Sequence, residues 1–248
     1  MIRANCREKF TVEDFTFIVD SLAEDKKNKL ALTDLLTDEQ TRDEILDTEL
    51  LFQKVIKRTG FSKISPYLYF YILTRRVFLE HKLMDRSMAD YVASMLAEFC
   101  SVRRTYSISN FHTKTYHYLV DMMMDFVDTS SWEAFLIRSH IGNYALFLTG
   151  IFPDYVYRKS TYGRKAPGFD YYEKMGSRSY RWASKHKLAL KYSLVEIMAK
   201  LAQHFRPVRI ALNTLTDKYM VIDERPENMD KMLRQIFFGK IDNRNFNA

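Results

Sequence analysis

Residues that make turns are scarce in this chain: 7 glycines and 5 prolines serve 248 residues. A β-rich fold turns every ~8–12 residues and marks its hairpins with pairs such as Asn-Gly. No Asn-Gly pair, no clear alternation of polar and apolar residues and no internal repeat occurs. Long helices are the architecture that so few turn residues permit. With 47% hydrophobic and 28% charged residues, the chain has ample apolar material for a core and too much for disorder. The expectation is an all-α fold, a single bundle-like domain over residues 1–248 with about eight to ten helices.

Helix punctuation supports that expectation. Thr11 with Asp14 is a box-like start before Phe15, Ile18, Val19 and Leu22, which share one helical face. Residues 25–48 are charge-rich and predict one short exposed helix with irregular flanks. A helix through Leu50, Leu51, Val55 and Ile56 meets a natural end at Gly60. Ser65-Pro66 then opens Tyr67, Leu68, Tyr69, Phe70, Tyr71, Ile72 and Leu73, continued by Val77, Phe78 and Leu79. A helix apolar all round belongs at the centre of a bundle. Ser87 with Asp90 starts another through Met88, Tyr91, Val92, Met95, Leu96 and Phe99.

Further helices are predicted over 116–127, 132–148 and 170–187, the last two behind the pairs Ser130–Glu133 and Asp170–Glu173. Two more follow over 188–205 and 208–221, separated at Arg206-Pro207, and a final one opens at Pro226 and closes at Gly239. The polar tail over 240–248 is expected to fray. Residues 151–169, with Pro153, Gly163, Pro167 and Gly168, read as an irregular loop.

Most reaction chemistries have no foothold here. Cys6 and Cys100 make neither a disulfide scaffold nor a CxxC element. The first ten residues are charged and lack the apolar stretch of a secretory signal. The longest stretch free of Lys, Arg, Asp and Glu, 139–153, falls short of the ~20 residues of a membrane span. A cytoplasmic chain with no membrane partner is expected. None of the six histidines has an acidic residue three positions earlier, which excludes the Glu-x-x-His pairs of a di-iron bundle. Zinc-protease, dinucleotide, phosphate-loop and serine-elbow motifs are absent. Asp121, Asp125 and Asp128 share a helical face that could hold Mg²⁺, but no facing acidic helix exists, so a solvated face is the better reading. His112 and His117 are five apart, one more than aligned ligands need. No metal or cofactor is predicted. Tyr67, Tyr71, His140, Asn143 and Tyr144 would line an enzymatic pocket, with His140 and Tyr144 as acid–base pair, unless they simply fill the core.

One segment stands out. Between residues 155 and 187 the positive residues are Arg158, Lys159, Arg164, Lys165, Lys174, Arg178, Arg181, Lys185 and Lys187. Against them stand only Asp170 and Glu173, so the segment carries the same +7 as the entire chain. Tyr155, Tyr157, Tyr162, Phe169, Tyr171, Tyr172, Tyr180 and Trp182 are interleaved. Cations release counterions from phosphates and aromatic rings stack on bases, a combination suited to single strands. Lys174, Arg178, Arg181 and Lys185 fall on one helical stripe. A solvated basic face over a core stripe is the alternative.

Gly142-Asn143-Tyr144-Ala145-Leu146-Phe147-Leu148-Thr149-Gly150-Ile151-Phe152-Pro153 followed by Tyr172, Gly176 and Tyr180 resembles a group of bacterial helical proteins with no established activity. In that group a Gly-Asp-x-x-Leu-Phe-x-Ser-Gly-x-Phe-Pro block precedes a Tyr-x-x-x-Gly-x-x-x-Tyr helix. Asn143 stands here for the group's Asp and Thr149 for its Ser. The resemblance implies a bacterial, cytoplasmic, all-α protein and nothing about mechanism. Gly150 before Phe152-Pro153 suggests a helix end with positive φ, and Gly176 suggests a close helix approach. Three function classes follow. The first is a non-enzymatic protein that binds nucleic acid or another polyanion through 155–187. The others are a helical adaptor for an acidic protein and an enzyme built on the tyrosine–histidine set.

Overall fold

The structure, a computed structural model, describes residues 1–57, 64–99, 130–162 and 166–220. Among these residues there are twelve α-helices, a 3-10 turn (Arg7–Lys9) and no strand. In chain order they are α1 (Val12–Leu22), α2 (Lys26–Leu35), α3 (Glu39–Leu46), α4 (Glu49–Ile56), α5 (Pro66–Glu80) and α6 (Arg86–Phe99). Then follow α7 (Ser131–Ile151), α8 (Pro153–Tyr162), α9 (Phe169–Ser184), α10 (Lys187–Lys191), α11 (Val195–Gln203) and α12 (Phe205–Tyr219). The expectations for Gly60, Cys100, His112, His117, Asp121, Asp125, Asp128, the helix over 116–127, the helix after Pro226 and the tail over 240–248 lie outside the described residues. Among the described residues no helix is long and apolar enough to cross a membrane, and no cluster of His, Cys, Asp or Glu could hold a metal ion.

Side-chain caps account for most helix starts. Thr11 and Asp14 form the expected reciprocal box on α1, as do Ser130 and Glu133 on α7. Asp25 and Asp38 each accept the backbone N–H three residues on, so residues 25–48 hold two capped helices rather than one. Asp85, not Ser87, caps α6 by accepting Met88 N–H at 2.7 Å. Gly168 precedes α9, and the expected Asp170–Glu173 box does not form.

The loop expected over 151–169 is largely helix. Phe152 alone interrupts the chain between α7 and α8, and Pro153 opens α8, where its missing N–H has no partner to lose. Likewise the break before α12 falls at His204 rather than at Arg206-Pro207, since Pro207 sits in the first turn and leaves it intact.

At the centre of the core lies α7, with every residue from Ser139 to Ile151 buried. The expected central helix α5 is also buried, from Phe70 to Arg75 without interruption. Helix α9 packs on α7 and α11, and α12 on α7 and α5. Glycines permit the closest approaches. A Cβ on Gly142 would lie 2.7 Å from the Tyr180 ring, and one on Gly176 would overlap Phe205. Gly150 lies in the last turn of α7, which ends at Ile151 as the Gly150–Pro153 block predicts, but without the expected positive φ; it admits Leu212, where a Cβ would meet it at 2.8 Å.

The N-terminal residues are stitched down by a buried carboxylate. Asp90 accepts the N–H of Cys6 at 3.0 Å and both the N–H and Nε of Arg7 at 3.1 Å. Arg7 also pairs with Asp43 at 2.5 Å, Arg86 bridges Asp43 and Asp47, and Arg75 grips Asp47 with two donors. Cations and carboxylates alternate along this chain, so none of the three arginines is left uncompensated in the interior.

Candidate polyanion interface

The geometry of α9 begins with what it buries. Tyr180 is fully buried and donates to Asn143 Oδ1 at 2.8 Å, and Tyr91 from α6 donates to the same oxygen at 2.9 Å. Burial pushes both phenols above the usual tyrosine range, so each hydroxyl stays a neutral donor. Ser177 donates to Ala202 C=O at 2.6 Å on α11, and Phe205 covers Gly176. These contacts fix the rotation of α9 about its own axis. The opposite face is therefore committed to solvent.

On that face Lys174, Arg178, Arg181 and Lys185 are all exposed. With Ser177 and Trp182 they line a shallow depression of about 520 Å³. Eleven steps of ~1.5 Å from Lys174 to Lys185 make the row about 16 Å long. The acids of α9 do little to neutralise it. Glu173 is held by Arg209 at 2.7 Å, and Asp170 reaches only Lys174, at 4.0 Å with both side chains solvated. Among the described residues no carboxylate pairs with Arg178, Arg181 or Lys185.

Trp182, 39% exposed, is the aromatic member of the groove. His186 stacks on it with centroids 5.4 Å apart, and the Arg138 guanidinium from α7 lies over the indole at 5.4 Å. Arg138 was not singled out in the sequence. It lies outside the charged segment, and only the packing of α7 on α9 brings it to Trp182. Burial, then repulsion from Arg178, lowers its affinity for its proton.

The other predicted residues are dispersed. Arg158 and Lys159 are exposed on α8, Lys187 is exposed at the start of α10, and none of the three lines the groove. Arg164 and Lys165 lie outside the described residues. Of the aromatic set, Tyr157 and Tyr162 are exposed, whereas Tyr180 belongs to the core.

The pocket expected from Tyr67, Tyr71, His140, Asn143 and Tyr144 does not assemble. Tyr67 bonds Lys9 and Glu98, and Tyr71 is buried beside Arg7. On α7, His140 lies against Phe99 and Tyr144, with centroids 5.7 and 6.5 Å away, and Asn143 serves the two phenols. The space that His140 and Asn143 line measures about 10 Å³, roughly a single water.

A serine–histidine contact absent from the sequence reading lies near the groove. Ser131 Oγ and His186 Nε2 are 2.8 Å apart. His186 Nδ1 accepts Leu188 N–H at 3.2 Å, which leaves the ring proton on Nε2. That nitrogen donates to Ser131 and cannot take its proton, so the pair is a helix cap and not an activated nucleophile. No protein-family model matches this chain, and no curated protein or solved structure is significantly similar to it.

Proposed function

We propose that this chain is a non-enzymatic binding protein whose α9 face engages an extended polyanion, in the first place single-stranded nucleic acid. The observation that carries the reading is the row of four exposed cations along one depression, with the acids of the same helix paired elsewhere or solvated. Exposed cations in a row repel one another and contribute little to folding. A strand of phosphates laid along them removes that repulsion and releases counterions. About 16 Å of helix spans roughly three to five phosphates at ~3.4 Å or more each along a strand. The stripe faces away from the Tyr91–Asn143–Tyr180 anchor, so binding leaves the core undisturbed.

Fluorescence anisotropy of a labelled 20-mer single strand tests the proposal. The native chain is expected to bind at low salt, and Arg178→Glu/Arg181→Glu/Lys185→Glu to lose binding while keeping its helical circular dichroism. Undetectable binding by the native chain at low salt ends the proposal, and so does a triple variant that unfolds, because the stripe would then be structural.

A further inference from the structure

Resting on that reading, we infer that the α9 groove recognises the phosphates of its ligand and not its bases, so that a linear inorganic polyphosphate occupies it as a nucleic-acid strand does. Base reading by a groove of this kind requires a free aromatic platform. Trp182, its only aromatic lining residue among the described residues, already has two stacking neighbours, His186 and the Arg138 guanidinium. A base on the indole competes with those contacts, whereas a phosphate beside it displaces neither. The remaining described lining side chains are four cations, Lys174, Arg178, Arg181 and Lys185, and Ser177, whose hydroxyl hydrogen is already given to Ala202 C=O. Amide side chains and carboxylates, which read adenine and cytosine edges, are missing from its lining among the described residues.

Arg138 supports the site from the neighbouring helix. Held over Trp182 by α7, its partly buried guanidinium lies against the indole that lines the groove on α9. Its charge is disfavoured by burial and by Arg178. An anion bound at Arg178 relieves that repulsion, and the Arg178 fork suits the tetrahedral oxygens of phosphate. Arg138 is thus a positioning residue that holds Trp182 and adds field.

The test uses Trp132→Phe, which leaves Trp182 as the single tryptophan of the chain and its emission as a local reporter. Four probes are titrated at low salt: a dA 20-mer, a dT 20-mer, an abasic 20-mer and inorganic polyphosphate of similar charge. All four are expected to bind within about threefold of one another and to change Trp182 emission alike. Arg138→Gln in this background should weaken all four by about three- to tenfold and Arg138→Lys by less. Binding of the dA or dT strand more than tenfold tighter than the abasic strand, with quenching only by base-bearing probes, overturns the inference and leaves the proposed function standing. Poly-glutamate, titrated alongside as a phosphate-free polyanion, overturns it in favour of an acidic protein partner if it binds as tightly as polyphosphate. No binding by any probe ends both.

Discussion

Asn143 accepts two phenolic hydroxyls in the interior, and replacing it with alanine strips both of their partner at once. Each orphaned buried donor costs about 1–3 kcal/mol, so Asn143→Ala is expected to lower unfolding free energy by about 2–6 kcal/mol in urea denaturation. A loss under about 1 kcal/mol contradicts the hydrogen-bonding account. Asp90 makes a prediction of opposite character. Burial pushes its carboxyl above the usual range, while the N–H groups and charge of Arg7 pull it down. The folded chain thus takes up this proton at a higher pH than the unfolded chain, whose aspartates titrate near ~3.9. Through that window the folded state holds more protons, so this group makes stability fall as pH rises. The stability difference between the native chain and Asp90→Asn should therefore shrink as pH rises from about 4. Denaturation at stepped pH checks the sign, and a growing difference contradicts it.

Helix boundaries show which local signals sequence carries. The boxes at Thr11–Asp14 and Ser130–Glu133 were legible because cap and partner lie three residues apart and serve the same turn. Ser87 and Asp90 have the same spacing, yet Asp90 is spent on Cys6 and Arg7, a contact more than 80 residues distant that no local pattern reveals. Two helix ends were illegible for another reason. Lys82 and Ser193 adopt positive φ, 59° and 55°, where glycine is the usual signal. Leu83 N–H returns to Phe78 C=O and Leu194 N–H to Ala189 C=O, both at 2.8 Å, closing Schellman turns without glycine. Ser193→Gly is expected to stabilise the chain by about 0.5–1 kcal/mol in thermal denaturation by relieving the left-handed strain. Gly176 was rightly read as a close-approach residue, although Phe205, its partner, could not be named. Gly176→Ala should cost about 1–3 kcal/mol, and Phe205→Leu in the same chain should return part of it. Additive losses would show that the ring is not what the new methyl meets.

Across the whole molecule, the all-α architecture was the most legible property, because it follows from the scarcity of glycine and proline and the all-round apolarity of α5 and α7. The candidate site was legible in part. The α9 stripe emerged from its 3–4 spacing, while Arg138 and the stacking of His186 on Trp182 depend on packing between separate helices. The tyrosine–histidine set misled because aromatic and polar residues at helical spacing look alike in a pocket and in a satisfied core. The central claim, that the α9 face is a landing surface for phosphates, predicts a definite dependence on salt. Neutralising about four phosphates of a single strand gives a slope near −2.8 for log binding constant against log salt concentration. The most direct measurement is that slope for the native chain and for Arg178→Gln/Arg181→Gln/Lys185→Gln, by anisotropy with one labelled single strand. The account predicts a native slope between about −2 and −3 that becomes shallower by about 2 in the variant. A slope near zero for the native chain, or one that the three substitutions leave unchanged, would contradict it.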